Sequence, residues 1–138
     1  MLQNFVLREN GLENIAADGK IIGYRIKTGL SFYRSVPLSC IEEISIAIDD
    51  VEVDVSQISL ELYGETYAHA ELDRSDIWWD FVDTAWLNVR AEGGLAVGTH
   101  KVKVRYKIRI PYAIPVGDDF VVNYDVTNAE KTLEVTGV

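Results

Sequence analysis

Apolar and basic residues alternate without a fault through Lys101–Ile110, which reads K-V-K-V-R-Y-K-I-R-I. Val102, Val104, Tyr106, Ile108 and Ile110 fall on one face, and Lys101, Lys103, Arg105, Lys107 and Arg109 on the other. A period of two sends successive side chains to opposite sides of a pleated strand, so the pattern predicts a long strand with one dry and one cationic face. The same alternation runs through Ile41–Asp49, where Ile44, Ile46 and Ile48 share a face, and through Ile58, Leu60 and Leu62. Further strands are predicted at Phe5–Arg8, Ile21–Lys27, Tyr67–Leu72, Ile77–Val82, Trp86–Arg90, Phe120–Val126 and Thr132–Thr136. Turn residues stand between them at Asn10-Gly11, Asp18-Gly19, Asp49-Asp50, Gly64-Glu65 and Gly93-Gly94. About nine or ten short strands with regular turn signals predict an all-β fold, an antiparallel β-sandwich of jelly-roll or immunoglobulin-like kind. No helix is predicted: Leu12–Ala17 has the spacing of a single helical turn, but Asp18-Gly19 stops it. Asp76–Trp86 reads as strand or irregular, because periodicity does not arbitrate a short apolar run.

With 138 residues and no linker, repeat or low-complexity tract, the chain is expected to be one domain over 1–138. No apolar run approaches the ~18 residues of a membrane span. The N-terminus lacks the basic start and apolar stretch of a signal peptide, and the lone cysteine, Cys40, has no internal disulfide partner. Both features predict a cytoplasmic protein. The net charge of -9 is unevenly spread: residues 40–83 hold thirteen acidic residues against Arg74, whereas 101–109 hold five basic residues and no acidic one. An acidic chain is a poor nucleic-acid ligand, because that affinity rests on neutralising phosphates. The basic face of the long strand is therefore expected to meet carboxylates on neighbouring strands.

The candidate chemistry is sparse. Asp50, Glu52, Asp54, Ser56 and Glu61 imitate the spacing of a calcium loop, but Val55 stands where the sharp bend needs glycine, and strands flank it. The two histidines, His69 and His100, have no zinc-like spacing. No nucleophile elbow, phosphate loop or dinucleotide fingerprint occurs, and no catalytic or metal-binding residue is assigned. Asp76, Asp80 and Asp83 surround Trp78, Trp79 and Phe81. Carboxylates with aromatics suit glycoside chemistry, a sugar-stacking platform or a strand core. Adjacent residues of a strand point to opposite sides, so one of Trp78 and Trp79 must be exposed or covered by a partner. Tyr33, Arg34, Val36 and Pro37 mix aromatic, basic and apolar groups outside any periodicity. They fit either an interface, which favours Tyr, Trp and Arg, or a crossover loop packed on its own sandwich. Tyr33, Arg34, Val36, Pro37 and the outward tryptophan are the candidate partner surface.

Four segments carry a resemblance: F-V-L-R-E-N-G-L at Phe5–Leu12, G-K-I-I-G-Y-R-I-K at Gly19–Lys27, Y-R-S-V-P-L-S-C-I-E-E-I at Tyr33–Ile44, and G-T-H-K-V-K-V-R-Y-K-I-R-I-P-Y at Gly98–Tyr112. Together they resemble the small β subunit of bacterial C-glycoside deglycosidases over nearly the whole chain. The resemblance implies a heteromeric complex, a higher hetero-oligomer, with an α subunit of xylose-isomerase-like (β/α)8 barrel type. It implies cleavage of the carbon–carbon bond in 3-oxo-C-glycosides of flavonoids and related aromatics. The 3-oxo group acidifies the neighbouring C2 proton, so a base can start an elimination. That base and a divalent, manganese-like metal are implied for the α subunit, with no cofactor in this chain. The alternatives drawn from the residues themselves are a free-standing carbohydrate-binding module and a protein-interaction sandwich of another assembly.

Overall fold

The structure, a computed structural model, describes residues 6–30, 35–110, 114–121 and 124–136. Among these residues the strands are β1 (Leu7–Ala17), β2 (Lys20–Gly29), β3 (Val36–Pro37), β4 (Ile41–Ile48), β5 (Val51–Glu52), β6 (Ile58–Leu62), β7 (Glu65–Ala68), β8 (Trp78–Trp79), β9 (Thr84–Arg90), β10 (Gly98–Arg109), β11 (Ile114–Val116), β12 (Asp119–Val121) and β13 (Tyr124–Val135). A five-stranded sheet, β1-β2-β9-β6-β7, and a four-stranded sheet, β13-β10-β4-β5, form the two layers of an antiparallel sandwich. Two small ladders, β3-β8 and β11-β12, complete the pairing.

The core follows from the alternation. Val102, Val104, Tyr106 and Ile108 are buried with Ile44, Ile46 and Ile48 of the same sheet, and Ile110 is partly buried against them. Tyr24, Ile26, Ile58, Leu60, Leu87 and Val89 meet them from the five-stranded sheet. A buried polar contact bridges the layers: Tyr106 Oη lies 2.8 Å from Thr28 Oγ1, and both residues are buried. A buried hydroxyl needs such a partner. Burial pushes the Tyr106 phenol far above its usual range, and it pushes Tyr24 up to about 12.

The turns obey local chemistry. Three two-residue hairpins place both central residues at positive φ: Asp18-Gly19 (51° and 77°), Asp49-Asp50 (50° and 69°) and Tyr63-Gly64 (52° and 81°). This geometry matches the right-handed twist of the flanking strands.

Five local expectations are corrected. Of the predicted Ile77–Val82 strand only Trp78–Trp79 is extended, and Asp80–Asp83 forms a turn. Leu12–Ala17 is strand: pairing of Leu12 to Ile26 and Ala17 to Lys20 overrides the helical spacing, with Leu12 buried. Asn10-Gly11 is then no turn, but an irregularity inside β1 between Leu7 and Leu12, with Asn10 at φ 57°. Only β7 of the predicted Tyr67–Leu72 strand is extended; His69–Arg74 is a 3-10 segment that buries Leu72, and Glu71 accepts the Ala68 N–H at 2.8 Å. The break expected between Val126 and Thr132 is absent, because β13 pairs continuously with all of β10 from Gly98↔Val135 to Arg109↔Tyr124.

Candidate functional site

The β3-β8 ladder brings together two of the segments singled out by sequence, pairing Val36 with Trp79 and Pro37 with Trp78. The Leu38 N–H donates to the Ile77 carbonyl at 2.8 Å and extends the ladder. The strand geometry separates the tryptophans: Trp78 is 55% exposed and Trp79 is 0% exposed. The Trp79 ring meets the Tyr106 ring edge-on, with centroids 6.3 Å apart and planes at 75°, a favourable aromatic geometry. Its indole N–H donates to the Asp83 carbonyl at 2.9 Å. Val36 is likewise fully buried and Pro37 half-buried. The outward face of the ladder thus carries Trp78, with Pro37 beside it, while Val36 and Trp79 belong to the core. Tyr33 and Arg34 lie outside the described residues.

Directly after the ladder the chain turns. The Asp83 N–H donates to the Asp80 carbonyl at 2.9 Å, and the Val82 N–H lies 3.2 Å from Asp80 Oδ1. Phe81 and Val82 occupy the tip, 42% and 68% exposed. Tyr63 braces the turn from the β6–β7 hairpin: its hydroxyl donates to Asp83 Oδ2 at 2.7 Å and accepts the Asp80 N–H at 3.1 Å. Burial first, and then the hydrogen bond to the Asp83 carboxylate, raises the Tyr63 phenol. Tyr63, Phe81 and Val82 were missed as a group. Their one sequence signal is an apolar pair between two aspartates, D-F-V-D, which is turn-forming in its flanks and not in its centre.

The cationic face of β10 is balanced by neighbouring acids. Lys101 and Lys103 reach Asp50 at 2.8 and 3.2 Å, Lys103 reaches Glu130 at 3.7 Å, and Arg105 pairs with Glu43. Lys107 Nζ sits 4.7 Å above the Tyr124 ring. These bonds hold the Asp50 and Glu43 carboxyls below their usual range. An open groove of about 540 Å3 runs over this face between Lys103, Arg105 and Glu130, floored by Ser45 and Ala47. The calcium-like spacing does not converge: Asp50 belongs to these ion pairs, and Asp54 accepts the Ser56 N–H at 2.9 Å. No group of three or more His, Cys, Asp or Glu side chains placed to hold a metal ion gathers among the described residues.

The remaining reactive groups are engaged separately. His100 Nδ1 lies 2.6 Å from Asp49 Oδ2, and Nε2 lies 2.7 Å from the Ala96 carbonyl. The backbone acceptor and the carboxylate together raise the imidazole pKa. His69 Nε2 stands 3.4 Å from the Ile44 N–H at the edge of β4. Cys40 is buried, with Arg109 Nη2 at 3.8 Å from its sulfur. Trp86, on the outer face of the five-stranded sheet, is covered by the Arg25 guanidinium 4.0 Å from its centroid.

The sequence of this chain has counterparts among known proteins. The family model for the C-glycoside deglycosidase beta subunit matches residues 2–112. The chain belongs to this family. A C-glycoside deglycosidase beta subunit of Eubacterium cellulosolvens is 31% identical over 121 residues, spanning 86% of this chain and 82% of that protein. A 3'-dehydrocarminate deglycosidase beta subunit of a Microbacterium species is 35% identical over 106 residues, 75% of this chain and 76% of its own. A C-glycoside deglycosidase beta subunit of Arthrobacter globiformis is 30% identical over 105 residues, 72% and 75% of the two chains. Each of these relatives is a beta subunit by name. No helix of the described residues is long and apolar enough to cross a membrane.

Proposed function

We propose that this chain is the non-catalytic subunit of a carbon–carbon lyase that splits 3-oxo-C-glycosides of flavonoids or related aromatics. The α subunit, of xylose-isomerase-like (β/α)8 barrel type, carries the general base and a divalent, manganese-like metal that would hold the substrate oxygens. This chain contributes rigidity. A barrel's active site is built from loops at the strand C-termini, and a sandwich docked on such loops fixes them and excludes water. Catalytic groups lose rate steeply when misplaced by about 1 Å, so a docked clamp changes activity without touching the reacting atoms.

The observation that carries this reading is the β3-β8 ladder. It puts a half-exposed tryptophan on a face whose reverse side is locked into the core by Val36 and Trp79. Exposed Trp on a rigid support is the residue type and setting of interface anchors. Trp78 and Pro37, with Tyr33 and Arg34 assigned to the same surface by sequence, are the docking residues. Co-expression with a tagged α subunit tests the docking: wild-type chain should co-elute in a stable complex. Failure of the two purified subunits to associate would overturn it.

A further inference from the structure

We infer that the turn Asp80–Asp83 is a preformed plug that enters an apolar socket, rimmed by basic side chains, on the α subunit. This rests on the docking function proposed above and adds to it a second contact, built from residues outside the β3-β8 ladder.

Three observations converge on the turn. Its composition is wrong for a solvated corner. Exposed turns favour Gly, Pro, Asn, Asp and Ser because these supply the backbone geometry or bond it locally. Here Asp80 and Asp83 do that work, and Phe81 and Val82 fill the two tip positions facing water. The tip is also held from three sides: by its own Asp80–Asp83 bonds, by the Trp79 indole on the Asp83 carbonyl, and by the Tyr63 hydroxyl between Asp83 and Asp80. An apolar tip fixed in advance has little entropy left to lose on binding, which is how preorganised anchors gain affinity.

The third observation is Tyr63 itself. The equivalent turn position is Asp18 in one hairpin and Asp49 in another, whereas the third hairpin holds a bulky aromatic at φ 52°. Asn and Asp tolerate this left-handed region; a Tyr there is strained. Strain that persists in a fold points to a use for the residue. The use visible here is the brace, because neither Asn nor Asp reaches from β6–β7 to Asp83.

The surroundings decide the partner's chemistry. Residues 74–83 carry Asp76, Asp80 and Asp83 against a single cation, Arg74. A plug with this charge is matched by an apolar pocket edged with Lys or Arg, since like charges across an interface oppose association. A purely apolar or acidic pocket would desolvate the carboxylate charges without supplying a counter-ion.

Sedimentation or calorimetric titration of purified α subunit with this chain separates the outcomes. Phe81→Ser and Tyr63→Asn should each weaken the complex roughly tenfold or more. Tyr63→Asn should do so without lowering the melting temperature of the isolated chain, because Asn suits the turn. Raised salt should weaken the wild-type complex, and Asp76→Asn should flatten that salt dependence. Val97→Ser, at a site as exposed as Val82 but preceding β10, should bind like wild type. If both plug variants bind as tightly as wild type while the wild-type complex forms, the plug is wrong and the docking function stands. If wild-type chain and α subunit do not associate, the docking function falls and the plug with it.

Discussion

Trp78 and Trp79 are neighbours in sequence with opposite environments, and substitution should separate them. Trp79 is fully enclosed, stacked edge-on against Tyr106 and hydrogen-bonded to the Asp83 carbonyl. Trp79→Ala should cost about 3–5 kcal/mol of folding stability, as large aromatic truncations in cores do. Trp78→Ala should leave the melting temperature within a degree or two, on surface-substitution grounds, and weaken binding to the α subunit by about 2 kcal/mol. Thermal melts of both variants beside a binding titration check the pair. His100 should make stability depend on pH. Both ring nitrogens face acceptors, Asp49 and the Ala96 carbonyl, while Asp50 and Lys101 pair with each other close by. Only the imidazolium donates to both acceptors, so the folded state binds the proton more tightly than the unfolded chain. The stabilisation is complete below the ordinary value of 6.5 and is lost as pH rises through the higher folded value. Asp49, lowered from 3.8 by its bonds to His100 and the Lys101 N–H, contributes stability above that value which disappears on further acidification. Urea unfolding at about pH 6 and about pH 9 should show wild type losing stability relative to His100→Gln at the higher pH; parallel curves would contradict this role of His100.

At the scale of elements, β10 offers the cleanest test. Val104 is buried and Lys103 is exposed among Asp50 and Glu130. Val104→Asp should unfold the chain, because an unpaired charge would enter the core. Lys103→Glu should cost about 1 kcal/mol or less, the scale of a surface ion pair. Circular dichroism melts in the reverse order would contradict the facing assignment. β10, β4 and β6 were legible in the sequence because each has one dry face, and a strict period of two has no helical counterpart. The same rule fails where strand pairing or a hydrogen bond outweighs local pattern. Leu12–Ala17 spaces its apolar residues like a helix, yet the adjacent Asp18-Gly19 hairpin aligns it with β2. Ile77–Val82 is uniformly apolar apart from Asp80, so nothing in its period marks where the strand stops. It stops at Trp79 because Asp80 and Asp83 close a turn stabilised by Tyr63, a residue distant in sequence. The Pro37–Trp78 surface was legible as two unexplained segments; their pairing was not, because a two-residue ladder has no periodicity to read.

For the whole molecule, family membership makes the chain a subunit of a C-glycoside deglycosidase, and the division of labour proposed for it is docking by this chain and catalysis by its partner. Ion pairs engage Lys101, Lys103 and Arg105 on the basic face of β10, and the exposed apolar residues between Ile77 and Val82 gather around one rigid corner. Such a subunit should be inert by itself and decisive in the complex. The direct measurement is aglycone release from a 3-oxo-C-glycoside, followed chromatographically, for the isolated chain with and without manganese and then with the α subunit added. The isolated chain should release none under either condition, and the reconstituted mixture should release aglycone faster than the α subunit alone. Turnover by the isolated chain, or an α subunit equally active without it, would contradict the account.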